Sequence, residues 1–272
     1  YGRISISRVV HGIDDIEDPN DDEHEAAYEN ETQAMQLPTT ECQLKPYCIP
    51  SPTLPDQVIF EQASLAIAKI SYVKGMYSYV ASGGLLHNST NRPLFLTANH
   101  CIASQSVAAS CEALWAYREA CDSAAPNSTF IKTLGATLIA TSRLTDFTLL
   151  QLKSNPPTGS YYFRWSDEDV SRSSETLYRI HHPHGYPQHY QISRIRNLGG
   201  CSMPIGNFIY SNPQLGITAT GSSGSPCFRA TDGHAELMGQ LYGACSSSPQ
   251  TCNHANVDGA FSATYPMIKA YL

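Results

Sequence analysis

Three side chains in this sequence have the types that nucleophilic attack on a carbonyl requires. Ser223 lies in "GSSGSPCF", residues 221–228, packed between glycines and a proline. A serine hydroxyl is a weak nucleophile until a neighbouring base takes its proton. His100, in "LFLTANHCI", follows an apolar strand-like run, and an imidazole with its ordinary pKa near 6.5 suits that work. Asp146, in "LTDFTLLQL", directly precedes a second apolar run. A carboxylate there is costly unless paired, so it implies a partner. Each residue alone has a plainer reading: a loop serine, a structural histidine, a turn aspartate. The order of small residues around Ser223 adds to the chemical one. Glycine reaches positive φ without steric cost, so Gly221-x-Ser223-Gly224 is able to aim the Gly221 and Ser223 amides at one point as an oxyanion hole. Ser222 and Ser225 then face elsewhere. The strand-turn-helix elbow G-x-S-x-G does not fit, because Ser225 stands where its last glycine belongs.

The elements that must position these residues read as strands. From about residue 57 onward the chain runs in short apolar or alternating stretches, such as "AIAKISYV", "PLFLTA", "FTLLQL", "GNFIYS" and "ELMGQLYGA", broken by Gly, Pro, Asn and Ser. The reading is all-β, sandwich or barrel, with helical patches at 106–120 and 265–272. Residues 1–41 are different. They hold 11 of the 24 acidic residues and two of the 17 basic ones, so this stretch carries −9 and the remainder +2. With few large apolar residues it reads as an extended acidic tail or a pro-segment. A nearly neutral body has no basic stripe, which argues against nucleic acid. No apolar run approaches the roughly 18 residues of a membrane span, which argues against insertion. The opening residues lack the apolar core of a leader, so the numbering is expected to begin after one was removed.

Nine cysteines, none in C-x-x-C spacing, and sequons at Asn30, Asn88 and Asn127 point to a disulfide-bonded, secreted glycoprotein. The odd count leaves one thiol free or paired between molecules. The histidines of "IHHPHGYPQHY" (His181, His182, His184 and His189) sit in a turn-rich stretch with no clustered acid or cysteine. That stretch reads as a hairpin loop rather than a metal site, and no cofactor is expected.

The order His100, Asp146, Ser223 in an all-β chain matches the chymotrypsin arrangement. From about residue 42 onward the chain resembles trypsin-like (chymotrypsin-fold) serine proteases, most closely the bacterial lysyl endopeptidases. "CQLKPYC", "FLTANHC", "TDFTLLQL", "RIHHP", "GSSGSP" and "GQLYG" carry the likeness in order. It implies two six-stranded antiparallel β-barrels, about 55–152 and 158–264, a short C-terminal helix at 265–272, and the catalytic residues in the cleft between. His100 would be general base and acid, Asp146 its orienting carboxylate and Ser223 the nucleophile, acting on proteins or peptides. Trypsin has aspartate directly before its serine, to pair with a newly freed N-terminus. Ser222 stands here, so the activation-like "RVVHGIDD" (8–15) lacks its carboxylate.

For substrate choice, Ile217 occupies the place of trypsin's specificity aspartate. Asp258 is the candidate pocket carboxylate for a lysine side chain, or else a turn aspartate before Gly259. Tyr242 stands where glutamyl endopeptidases have histidine. Trp165 aligns with an aromatic residue lining the cleft, or lies in a barrel core. The resemblance further implies Cys48–Cys121, Cys42 with Cys245 or Cys252, Cys101–Cys111, and Cys201–Cys227. A non-catalytic binding protein on this scaffold and a precursor blocked by residues 1–41 are the rival readings.

Overall fold

A computed structural model describes residues 57–119, 130–196, 201–245 and 254–272. The chain enters through helix α1 (Gln57–Ala66), whose Ile59, Phe60, Ala63 and Ala66 are buried. Seven strands follow: β1 (Ile67–Lys74), β2 (Tyr77–Leu86), β3 (Leu94–Ala98), β4 (Glu112–Trp115), β5 (Ile131–Leu134), β6 (Ala136–Ser142) and β7 (Phe147–Leu152). They pair antiparallel in the order β5-β4-β1-β2-β3-β7-β6. Among the described residues this sheet stays open, a half-barrel. β3 is buried at all five positions and β7 at five of six. Both lie inside the sheet, which explains their continuous apolar runs in place of alternation.

The second sheet comprises β8 (Arg164–Trp165), β9 (Thr176–His181), β10 (His189–Ile195), β11 (Phe208–Leu215), β12 (Pro226–Thr231), β13 (His234–Cys245) and β14 (Ala255–Ala260). Its order is β12-β9-β10-β11-β14-β13, and β12 also pairs with β13, closing a six-stranded barrel. β8 adds to β13 in parallel. Helix α3 (Phe261–Ile268) and a final 3-10 turn (Lys269–Tyr271) end the chain. A core shared by the two sheets holds Phe147, Phe163, Phe228 and Phe261, with the Phe163 and Phe228 rings 5.4 Å apart.

Several expectations need correction. Residues 106–120 are not one helix. α2 covers only Gln105–Ala109, and β4 begins three residues later. Trp115 pairs with Ala68 of β1 and Ile131 of β5, and its indole donates to Thr133 Oγ1 at 3.0 Å. Sheet pairing and burial of the indole override local helix preference. The C-terminal helix starts at Phe261, earlier than 265, because Phe261, Thr264 and Ile268 bury one face.

Cys201 bonds Cys245, not Cys227. Cys201 is exposed, whereas the Cys227 thiol is fully buried in the barrel core among Val170, Leu177 and Met238, out of its reach. Cys101 and Cys111 are buried free thiols, not a disulfide. Burial first, then Glu112 and Cys101, pushes the Cys111 thiol up to about 12, which keeps it protonated and unreactive. Cys42, Cys48, Cys121 and Cys252 lie outside the described residues. So do the sequons at Asn30 and Asn127. Asn88 is buried, and its Nδ2 donates to the Arg92 carbonyl at 2.7 Å while Oδ1 accepts from Thr90 and Arg92. Its amide is committed to this turn, with Nδ2 also directed at the Leu86 carbonyl at 3.4 Å.

Candidate active site

β3 delivers His100. The strand ends at Ala98, and Asn99 and His100 turn out of the sheet. Asp146 precedes β7, the neighbour of β3, and binds that turn three times. The Asn99 N–H donates to the Asp146 carbonyl at 2.9 Å, the His100 N–H donates to Oδ1 at 2.9 Å, and His100 Nδ1 lies 2.7 Å from Oδ2. With Oδ2 taking the Nδ1 proton, Nε2 is left with a free lone pair, as a general base requires.

Asp146 occupies φ +53°, rare for a residue with a side chain. The surroundings hold it there. The Thr145 carbonyl accepts from Gln240 Nε2 of β13 at 2.7 Å, and the Thr145 hydroxyl bonds Thr264 of α3 at 2.7 Å. Burial acts to lower the His100 pKa, but Cys101 and the Asp146 carboxylate outweigh it, leaving His100 well above the ordinary imidazole value.

The nucleophile turn belongs to the closed barrel but is jammed against the other sheet. Gly224, at φ +76°, approaches so closely that a Cβ there would meet Thr97 Oγ1 at 2.3 Å, the Ser82 carbonyl at 2.6 Å and Ala98 N at 2.7 Å. Only glycine fits. Ala98 leads straight into the His100 turn. Ser82 of β2 binds the same segment. Its N–H donates to the Ser223 carbonyl at 2.9 Å and its hydroxyl donates to the Gly221 carbonyl at 2.9 Å. On the other flank Gly224 N–H donates to the Leu241 carbonyl at 2.8 Å, and the next residue, Tyr242, sets its ring edge-on to His100 at 5.8 Å. The serine turn, β13 and the histidine therefore converge on one cleft.

The amide directions follow from peptide planarity. The Thr220 carbonyl accepts from His184 N–H, and the Ser222 carbonyl accepts from Ser225 N–H at 3.0 Å. In a trans peptide the N–H points opposite its C=O, so the Gly221 and Ser223 amides face away from these partners. Neither has an acceptor among the described residues. Gly221 takes φ +88°, a conformation that glycine permits freely.

The residues expected around the substrate are placed otherwise, Tyr242 excepted. Asp258 is fully buried and ion-paired with Arg179 Nη2, while Arg179 Nη1 donates to the Ser225 carbonyl at 2.7 Å. Its carboxylate is therefore spent inside the barrel beneath the nucleophile turn, not offered to a substrate. Trp165 does not line the cleft. It donates Nε1 to the His87 carbonyl at 3.1 Å and packs on Phe261 and Tyr265 of α3. Ile217 is buried one residue after Gly216. Of the four histidines of residues 181–189, His181 ends β9 and pairs with His189 at the start of β10, and His182 and His184 lie in the turn between. There His182 Nδ1 meets the Tyr186 carbonyl at 2.9 Å and His189 Nδ1 the Pro187 carbonyl at 2.8 Å. Burial holds the His182 pKa down to about 3. Sequence reasoning missed Ser82, Gln240 and Arg179, polar residues within apolar strands. A polar residue at a strand position that should be buried was the available signal.

Residues 39–260 match the family described as lysyl endopeptidase, C-terminal domain. The chain belongs to that family. A lysyl endopeptidase of Pseudomonas aeruginosa is 31% identical over 222 residues, covering 78% of this chain and 48% of the relative. The chain thus spans about half the length of the curated relative it matches. Among solved structures, the active form of the Rv3671c protease from M. tuberculosis aligns with TM-score 0.52 and 15% identity, over 78% of this chain and 82% of that one. A scabies mite inactivated protease paralogue aligns with TM-score 0.56 and 15% identity, over 77% and 95%. These neighbours establish the chymotrypsin-like fold.

Proposed function

We propose that this family member is a secreted serine endopeptidase acting through an acyl-enzyme. His100 Nε2 takes the Ser223 proton as Oγ attacks the scissile carbonyl. The Gly221 and Ser223 amides bind the resulting oxyanion, and His100 then protonates the leaving amine. Water repeats the cycle to release the acid. The imidazolium formed at each step is stabilised by Asp146. The observation that carries this reading is the double hydrogen bond of Asp146 to the His100 backbone and ring, which leaves Nε2 as the basic nitrogen.

Proteins or peptides are the substrates. A preference for lysine is supported by the relationship to the Pseudomonas enzyme, and Asp258 does not supply the reading carboxylate because Arg179 holds it. The Cys201–Cys245 disulfide supports an oxidising, extracellular setting. Residues 42–272 form the catalytic unit, and 1–41 an acidic extension removable as a pro-segment. A fluorophosphonate ester tests the site directly. It should label Ser223 alone, as mapped by mass spectrometry, and fail on His100→Ala. Equal labelling of other serines would refute the assignment.

A further inference from the structure

The oxyanion amides keep their direction only if the two peptides flanking residue 222 keep theirs. Ser222 is the joint between them. Its side chain is fully buried, so it touches no substrate. Its N–H donates to the Ala219 carbonyl at 2.9 Å, and its hydroxyl oxygen accepts from the Ala219 N–H at 3.0 Å. These two bonds close a ring that fixes residues 219–222. A third contact anchors the ring to the barrel. Ser222 Oγ lies 2.7 Å from Nδ1 of His181, the last residue of β9, also fully buried. One lone pair of the hydroxyl is taken by Ala219, and its other lone pair or its proton meets His181 Nδ1 according to the ring's tautomer. Burial keeps that ring neutral. It is the first cause, with neighbouring His189 and Arg179 adding to it, that drives the His181 pKa well below the ordinary value.

Nothing in this lock needs a charged residue at 222 or a group from residues 1–41. Among the described residues its partners lie in the second sheet and its turn. Resting on the protease reading above, we propose that Ser222 and His181 form a positioning pair that keeps the Ser222–Ser223 peptide turned so that the Ser223 amide faces the oxyanion. The turn is then built without any upstream cleavage. Rotation of the 222–223 peptide would carry one of the two oxyanion donors away. Loss of one such donor costs about 10²–10³ in kcat in enzymes of this chemistry. A residue that acts only on general packing would not distinguish ground state from transition state.

The experiment compares the full chain with Ser222→Ala, His181→Leu and His181→Asn. The Asn carboxamide restores a hydrogen-bonding group near the place of Nδ1, able to accept or to donate. Three quantities are read with a chromogenic peptide amide: kcat, KM, and the inhibition constant of the matching peptide aldehyde, whose adduct with Ser223 carries the oxyanion. Ser222→Ala and His181→Leu should each lower kcat by about a hundredfold and weaken the aldehyde by a similar factor, with KM within about threefold of the parent's. His181→Asn should recover most of the loss, and the Ser222→Ala/His181→Leu double variant should be no worse than either single one. Unchanged kcat and aldehyde affinity in a folded Ser222→Ala or His181→Leu would overturn the pair. So would a loss appearing equally in KM, or a His181→Asn no better than His181→Leu. If Ser222→Ala fails to fold, the contrast between the two His181 variants decides alone. A parent chain that cleaves nothing in a Ser223-dependent way would instead overturn the protease reading, and the pair with it.

Discussion

Replacing Asp146 by asparagine keeps size and shape while removing the feature on which the account rests. The carboxylate accepts two hydrogen bonds at once, from the His100 N–H at Oδ1 and at Nδ1 by Oδ2. Asparagine has one oxygen and one NH2. If the oxygen faces Nδ1, the NH2 meets the His100 N–H, donor against donor. If it faces the backbone, the NH2 demands an unprotonated Nδ1, and the catalytic Nε2 then carries the proton and accepts none. The first arrangement leaves a partly buried N–H unmatched, at about 1–3 kcal/mol, and the second matches both groups but holds the ring in the tautomer that cannot act as base. The charge-assisted bond that stabilises the imidazolium is lost too, a further 1.5–3 kcal/mol or so. Together these correspond to a fall in kcat/KM of roughly 10² to 10⁴ at 1.4 kcal/mol per factor of ten.

The pH dependence moves as well. His100 is held well above the ordinary imidazole pKa, with Asp146 among the causes, so the acid limb of kcat/KM should lie above pH 6.5 or so in the parent and move down in Asp146→Asn. Stability follows the same linkage. A histidine whose folded pKa is raised stabilises the fold below its unfolded pKa and loses that contribution as pH rises through the folded value. Asp146→Asn should therefore flatten the thermal melting profile across that window. The assays are kcat/KM against pH with a peptide amide, and melting temperature against pH. A variant within about threefold of the parent, with an unmoved acid limb, would refute the reasoning.

Other outcomes follow from the packing. Gly224→Ala adds a Cβ within 2.3 Å of Thr97 Oγ1 at φ +76°, and combines left-handed strain of about 1–2 kcal/mol with overpacking of about 1–3 kcal/mol. Chemical denaturation should show the loss. Arg179→Met strands the buried Asp258 carboxylate and should cost about 3–5 kcal/mol, much of it recovered by adding Asp258→Leu. An Arg179→Met chain as stable as the parent would contradict the pairing. Trp165→Ala should lower the melting temperature through lost contact with Phe261 and Tyr265 while leaving KM unchanged, whereas a raised KM would return the indole to the cleft.

What the sequence made legible was local. His100 and Asp146 stand at the edges of apolar strands, and the Gly221 and Gly224 that flank the Ser222–Ser223 turn each need positive φ, so types and spacing near each residue carried the signal. The sheet character of most apolar runs was legible for the same reason. Partnerships across the fold were not. Asp258 meets Arg179 from 79 positions away, and Cys201 meets Cys245 across 44. Pairings at such range depend on how the barrel closes, which no nearby residue encodes. Residues 112–115 read as a continuation of a helix because alanine, leucine and tryptophan suit both states, and only pairing with β1 and β5 selects strand. Trp165 was open between cleft and core, and α3, arriving from the far end of the chain, covers it.

The most direct measurement is cleavage of a mixed peptide library by the full chain and by Ser223→Ala, with product ends read by mass spectrometry. The account predicts discrete new C-termini, enriched in lysine, that vanish in Ser223→Ala. Cleavage that persists in Ser223→Ala, or none from the parent chain even after removal of residues 1–41, would contradict it.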